Sequence, residues 1–401
     1  MNARRIMAAF PPTPDEQVTL ANWRQHPFSE WAFRNVRELL PTASIPGTAA
    51  DPAPQSLAQT YLEDVSFANP RGEKVGFVEA LRTSHTDGIV VSYRGQIVFE
   101  WYAQGLTPDT PHLIFSVSKS IAGTLGGILV DRGILDPDAQ VTRYIPEMEG
   151  SAYGSGCTVR HLLDMSVGIR FDEDYMSRDG DVVNYRRSTG WEAPDATVPP
   201  THLRDFLRTL RADGTPHGHT FHYVSTNTDV LGWVYERACG MSYAKILSYH
   251  LWQPMGAEHD AYITVDCRGA ARVAGGICAT VRDLARFGEM MRNYGVSSGR
   301  QVVPAWWIDD IRRNGNSEAW SRGDLTKVFP NGNYRSKWYT IDRSETPFAA
   351  VGIHGQWIYI DPANATIIAR VSSQPLPMDL DLDHMWLRGY RAIATRLAEK
   401  S

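Results

Sequence analysis

The sequence predicts an α+β fold, with a central antiparallel sheet built from both ends of the chain and a mostly helical region inserted between them. Three observations predict it. Two β-branched runs, residues 89–93 and 97–102, flank Arg94-Gly95 and read as a hairpin. Strand character returns at 338–341, 349–360 and 365–372, with Asp361-Pro362-Ala363-Asn364 as the turn before the last run. Between the two ends, segments 117–129, 203–210 and 230–238 carry apolar residues at helical spacing, and 284–293 repeats the pattern. The expected organisation is a single unit over 1–401. Its sheet-containing α/β lobe takes 21–110 and 275–401, and its helical lobe takes 111–274.

Residues 1–20 read as a loosely held arm, and 46–55 as a connection rich in Pro and Ala. Segment 23–40 places Trp31, Phe33, Val36, Leu39 and Leu40 at mostly helical spacing. Segment 112–133 runs from Leu113, Ile114 and Phe115 into Ser116, then into a helix whose apolar face carries Val117, Ile121, Leu125, Ile128 and Leu129 until Gly133 stops it. Residues 166–200 stay irregular, which at that length suggests a lid or binding loop. Thr280 and Asp283 open the 284–293 helix as a capping box, with Gly295 after it. Met385, Leu387, Tyr390, Ile393 and Leu397 mark a terminal amphipathic helix.

The chain of 401 residues is 43% hydrophobic and 21% charged, with a formal net charge of -5 and no strongly basic stretch. Nucleic acid and membrane are therefore not expected as partners. Cys157, Cys239, Cys267 and Cys278 have no metal-like spacing and are too few for a disulfide framework. The apolar run at 6–10 ends at Pro11, too short for a signal-peptide core. A reduced, cytoplasmic chain needing no cofactor or metal is the simplest expectation.

Ser116 at a helix N-terminus, with Lys119 nearly one turn on, places a hydroxyl beside an ammonium where the first-turn amides favour negative charge. Such a pair can serve as a nucleophile and its base, although Ser and Lys are common enough for one match to occur by chance. Ser242 and Lys245 repeat the spacing, but Ser242 reads as a helix N-cap. Tyr223, Ser225 and Asn227 are two apart, so an extended segment would point them to one side. A phenol near an ammonium is pushed toward its anion, which makes Tyr223 a proton acceptor for Ser116. The competing reading has Asn227 or Thr228 capping the helix that follows. Gly295-Val-Ser297-Ser-Gly299 lacks the strand and helix of a nucleophile elbow and reads as a turn, and His217, His219 and His222 read as a polar loop.

Ser116-Val-Ser-Lys119, Tyr223-x-Ser225-x-Asn227 and the glycine-bearing strand Ala350-Val-Gly352-Ile353-His354-Gly355-Gln356, in that order, resemble the serine β-lactamase and penicillin-recognising superfamily. Further likeness in EDY, STNTDVLGW and RDLAR is to its nylon-oligomer hydrolases, beside the class C enzymes and family VIII esterases. The resemblance implies the β-lactamase/DD-peptidase-like fold. It also implies an acylated Ser116, proton work shared by Lys119 and Tyr223, and an oxyanion hole from the amides of Ser116 and Ile353. Tyr175 corresponds to the tyrosine that meets the scissile amide, and Trp191 would line the same loop.

The departures are informative. The third superfamily motif falls on Ala350-Val351-Gly352, so its carboxylate-binding lysine is missing, whereas a register on His354-Gly355 would keep a cationic option. Arg186 and Ala274 stand where the efficient dimer hydrolases carry an Asp and an Asn, and an Arg there repels a cationic amine. The expected activity is hydrolysis, through an acyl-enzyme, of small carboxylic esters or linear amides such as 6-aminohexanoate dimers, by a protein that could be a homodimer. The alternatives are a β-lactamase or D-amino-acid peptidase of the same superfamily, or a binding or sensor protein that keeps the fold.

Overall fold

The computed structural model describes residues 6–48, 62–154 and 156–399. Its centre is a seven-stranded antiparallel sheet. In spatial order the strands are Asn333–Arg335, Trp338–Thr340, Phe348–Gly352, Gln356–Asp361, Thr366–Ser372, Thr86–Tyr93 and Gln96–Tyr102. The two ends of the chain meet where Thr366–Ser372 pairs with Thr86–Tyr93, in the register Ile367↔Ser92 and Ala369↔Val90. Arg94 and Gly95 both take positive φ, the backbone of the tight hairpin turn the sequence predicted.

Both faces of this sheet are covered, and the two-residue period sorts its side chains accordingly. Val90, Ile358, Ile360, Ile367, Ala369 and Val371 join one buried cluster with the Val117–Asp131 and Val281–Arg292 helices. Ile89, Val91, Trp357, Tyr359 and Ile368 join a second cluster with Trp386, Tyr390 and Ile393 of the terminal Leu380–Glu399 helix. Thr280 caps Val281–Arg292, accepting from the amide of Asp283 at 3.1 Å.

Several expectations need correction. Segment 23–40 holds only the short Phe28–Ala32 helix and a 3-10 turn at Val36–Glu38, because Pro27 and the loop around Asn35 interrupt the apolar spacing. Residues 1–5 and 49–55 of the expected arm and connection lie outside the described residues. The rest of the arm is held, with Val18 buried and the amide of Met7 donating to Glu16. Residues 166–200 contain a nine-residue helix, Gly180–Ser188, whose polar composition hid it. Segment 349–360 is two strands, split where His354 and Gly355 both adopt positive φ.

A second sheet of four short strands, ordered Thr42–Ile45, Ala261–Thr264, Ile277–Ala279, His112–Leu113, runs partly through the segment expected to be mostly helical. It leads directly into the Val117–Asp131 helix. That helix is buried all round from Val117 to Leu129, rather than on one face, so it forms the axis of the molecule. No helix among the described residues is long and apolar enough to cross a membrane.

Candidate active site

Ser116 is the N-cap of the central helix, 8% exposed, and Phe115 before it holds a left-handed φ of 43°. A bulky residue in that region is strained, and such strain collects at functional sites. One turn on, the Lys119 amine lies 2.6 Å from Ser116 Oγ and 2.7 Å from the carbonyl oxygen of Ala274. Burial lowers the Lys119 amine to about 8, overriding the opposing attraction of Glu173 and Asp229. The Ala274 contact uses a main-chain oxygen, so the side chain present there is immaterial to it.

Tyr223 closes the triangle, with its phenol meeting the hydroxyls of Ser116 and Tyr339 and its ring centroid 5.0 Å from the Lys119 amine. The expectation that Lys119 draws the phenol toward its anion is reversed. Burial and the nearby Glu173 carboxylate push Tyr223 upward, so it stays a neutral phenol. Of the two groups, Lys119 is the one poised to accept a proton near neutrality.

The turn that splits segment 349–360 carries Ile353 to the same point. A Cβ on Gly352 would come within 3.0 Å of the Ser116 nitrogen and 2.8 Å of the Ile114 oxygen, so only glycine lets the strand end approach the helix start this closely. Among the described residues, neither the Ser116 nor the Ile353 amide donates to a backbone oxygen. Two such amides can converge on a tetrahedral oxygen.

Two cavities share Ser116 as a wall. The larger, a cleft of about 390 Å³, has an apolar floor from Phe171, Leu325, Val328, Phe329 and Met378, with Asp172, Asp174, Asp324 and Asp383 around it. The smaller, a recess of about 50 Å³, is lined by Lys119, Arg24, Arg186, Arg272, Trp191 and His354 among others. Tyr175 and Glu173 border both, and the Tyr175 hydroxyl donates to Glu173 at 2.7 Å.

The remaining candidates take different positions. Ser225 lines the recess, but its hydroxyl and amide both donate to Glu173. It is the N-cap of the Thr226–Cys239 helix in helical conformation, so the two-residue alternation fails there. Asn227 lies inside that helix, fully buried, with its amide on Met165 Sδ, and lines neither cavity. Trp191 is buried, its indole donating to Thr264 Oγ1 at 3.2 Å. Arg186 pairs with Glu192 at 2.6 Å and donates to the Ser177 carbonyl.

The cationic option at His354 does not hold. Burial lowers its imidazole to about 4, and Nδ1 lies 2.6 Å from the Gln374 carbonyl, so it is neutral at ordinary pH.

Sequence reasoning missed Glu173, Arg24, Arg272, Tyr339 and Lys337. Glu173 stands two residues before Tyr175 in EDY and could have been found from that neighbour. Lys337 is fully buried with no hydrogen-bond partner for its amine, and burial and Lys119 hold that amine well below its ordinary value. Nothing local marked it. Ser242 is the N-cap of Tyr243–Leu247, as expected.

Comparison with known proteins identifies the family. The β-lactamase family pattern spans residues 76–390. The 6-aminohexanoate-dimer hydrolase of Paenarthrobacter ureafaciens is 37% identical over 380 residues, 94% of each chain. Esterase EstB of Burkholderia gladioli is 32% identical over 207 residues, 47% of this chain and 50% of that one. In structure, a Bacillus anthracis protein for which dimer-hydrolase activity has been suggested superposes with a TM-score of 0.88 at 25% identity, covering 97% of this chain and 99% of its own. With a serine and a buried lysine in contact at the head of the central helix, and with this breadth of likeness, the chain belongs to the serine β-lactamase superfamily of hydrolases.

Proposed function

We propose that the protein hydrolyses small carboxylic esters and linear amides, 6-aminohexanoate dimers among them, through an acyl group carried on Ser116. The observation that carries this reading is the 2.6 Å contact between Ser116 Oγ and a Lys119 amine lowered to about 8. Neutral Lys119 takes the hydroxyl proton as Ser116 Oγ attacks the carbonyl carbon. The amides of Ser116 and Ile353 receive the oxygen that becomes negative. Tyr223, a neutral phenol touching Ser116, gives its proton to the departing alcohol or amine and regains one from the Lys119 ammonium. Water then attacks the acyl-enzyme by the same route in reverse, and Tyr175 at the cleft edge contacts the scissile group.

Treatment with a serine-directed phosphonate followed by mass spectrometry tests the assignment, with a p-nitrophenyl ester assay beside it. A single adduct on Ser116 and an inactive Ser116→Ala variant are expected. An adduct elsewhere, or a Ser116→Ala variant as active as the parent, refutes it. His354 is neutral, so the third-motif position itself supplies no cation, and nitrocefin turnover comparable to ester turnover would favour the β-lactamase reading instead. Four free cysteines support a reducing, cytoplasmic setting. A homodimer remains part of the proposal, to be read from the solution mass.

A further inference from the structure

The recess beside Ser116 has a composition that the acyl-transfer steps do not use. Arg186 and Arg272 are each 8% exposed, and Arg24 joins them on the same wall. Burying three guanidinium groups together is costly unless each is paired. Glu192 is the carboxylate that reaches two of them, at 2.6 Å from both Arg24 Nη2 and Arg186 Nε. Arg272 is held differently: Nη1 donates to Thr189 Oγ1 at 2.6 Å, and its guanidinium lies 3.9 Å from the Trp191 ring and 4.5 Å from the Tyr185 ring. Asp229 attracts Arg272 across the site, but it is already engaged by the Tyr185 hydroxyl and the Ala274 amide.

The Nε atoms of Arg24, Arg186 and Arg272 are all buried with no hydrogen-bond acceptor. Arg186 Nε is close to Glu192, but its N–H is not aimed at that carboxylate. Unpaired buried donors of this kind are rare in native proteins and call for an acceptor. The mutual repulsion of the three is visible at Arg24, lowered to about 10 by burial with Arg186 and Arg272 contributing. A volume of about 50 Å³ admits a small oxyanion, since a single water needs roughly 10–15 Å³. On the other side of Ser116 the cleft is edged by Asp172, Asp174, Asp324 and Asp383, and Glu173, which borders both cavities, is already engaged by Tyr175 and Ser225, so the field across the site runs from acidic to basic.

We propose that the Arg24–Arg186–Arg272 recess binds a carboxylate carried by the substrate itself, making this enzyme selective for esters or amides with a terminal anion close to the scissile carbonyl. The inference rests on Ser116 being the nucleophile. It reverses the charge preference that an Asp at position 186 would give, because the acceptor sought here is an anion. A planar guanidinium suits a carboxylate, which can take two parallel N–H bonds.

The test is a panel of p-nitrophenyl esters of matched length: the monoester of glutaric acid, the neutral pentanoate, and the cationic 4-aminobutyrate. 4-Acetoxybenzoate, beside neutral phenyl acetate, places the anion on the leaving group instead. The expected result is a kcat/KM at least about tenfold higher for one anionic ester than for its neutral partner, equivalent to one charge-assisted contact. That ratio should shrink with added salt and collapse in Arg186→Gln and Arg272→Gln. Which anionic ester gains tells whether the recess serves the acyl or the leaving half.

Neutral esters turned over through Ser116, with no anionic advantage, would overturn the recess and leave the hydrolase intact. If no ester is turned over, titration calorimetry of glutarate decides the recess separately. Binding by the parent that is lost in Arg186→Gln upholds the anion site, and no binding removes it.

Discussion

Lys119 sits buried between two oxygens, Ser116 Oγ and Ala274 O. Its amine is held to about 8 against an ordinary value of 10.5. On the proposed mechanism acylation requires the deprotonated amine, so its rate should rise through about pH 8 and fall away below it. Burst kinetics with a p-nitrophenyl ester between pH 5 and 10 would show this, and a rate flat across that range would contradict it.

The same shift acts on stability, with a definite sign. Between about 8 and 10.5 the unfolded chain holds the proton and the native chain does not, so stability rises with pH across that window. At neutral pH the native state bears the full cost of charging a buried amine. Lys119→Met should then abolish acylation while leaving stability near that of the parent, because no longer charging a buried amine offsets the loss of its bonds to Ser116 Oγ and the Ala274 carbonyl. Denaturant titration of both proteins at pH 7 checks it. On the same mechanism Tyr223→Phe removes the proposed proton relay while keeping the ring near Lys119, so kcat should fall about 10²- to 10⁴-fold with the fold unchanged.

At the scale of elements, the site is made by one helix start and one strand end brought into contact. Gly352 is the point of closest approach, and a methyl group there meets the Ser116 nitrogen and the Ile114 oxygen, neither of which can move without moving the helix. Gly352→Ala should displace Ile353 from the oxyanion position and lower kcat about 10²- to 10³-fold, the usual cost of one lost donor. Circular dichroism should stay near that of the parent. The Ser116 end of this pairing was legible in the sequence, because a β run, a serine and a helical period follow one another with Lys119 at the right interval.

The strand end was not legible in full. Segment 349–360 is a continuous β-prone run, and only the backbone of His354 and Gly355 reveals the turn that puts Ile353 beside Ser116. The four short strands of the second sheet are two to four residues long, below what alternation can register. Asn227 followed the helix rather than the alternation suggested by its neighbours. The recess was illegible for a different reason. Arg24, Arg186 and Arg272 are far apart in sequence, and no local pattern announces that three cations will share a wall.

For the whole molecule, the N-terminal segment takes part in the site. Trp23 is 1% exposed, its ring centroid 5.1 Å from that of Trp191, and its indole donates to the Trp191 carbonyl at 3.2 Å. Trp191 in turn lies under Arg272, and Arg24, next to Trp23, reaches Glu192. The stretch around Trp23 thus holds the segment after Gly180–Ser188 against the recess. Trp23→Ala opens a cavity where a fully buried ring stood, at a cost of about 3–5 kcal/mol. Because the loosened parts are Trp191 and the arginine wall, substrate binding should weaken more than the chemical step, so KM rises while kcat is largely kept. Steady-state kinetics on a folded Trp23→Ala preparation, with its thermal midpoint measured alongside, reads both effects. A collapse of kcat at unchanged KM would place the influence of this segment on the nucleophile and not on the recess.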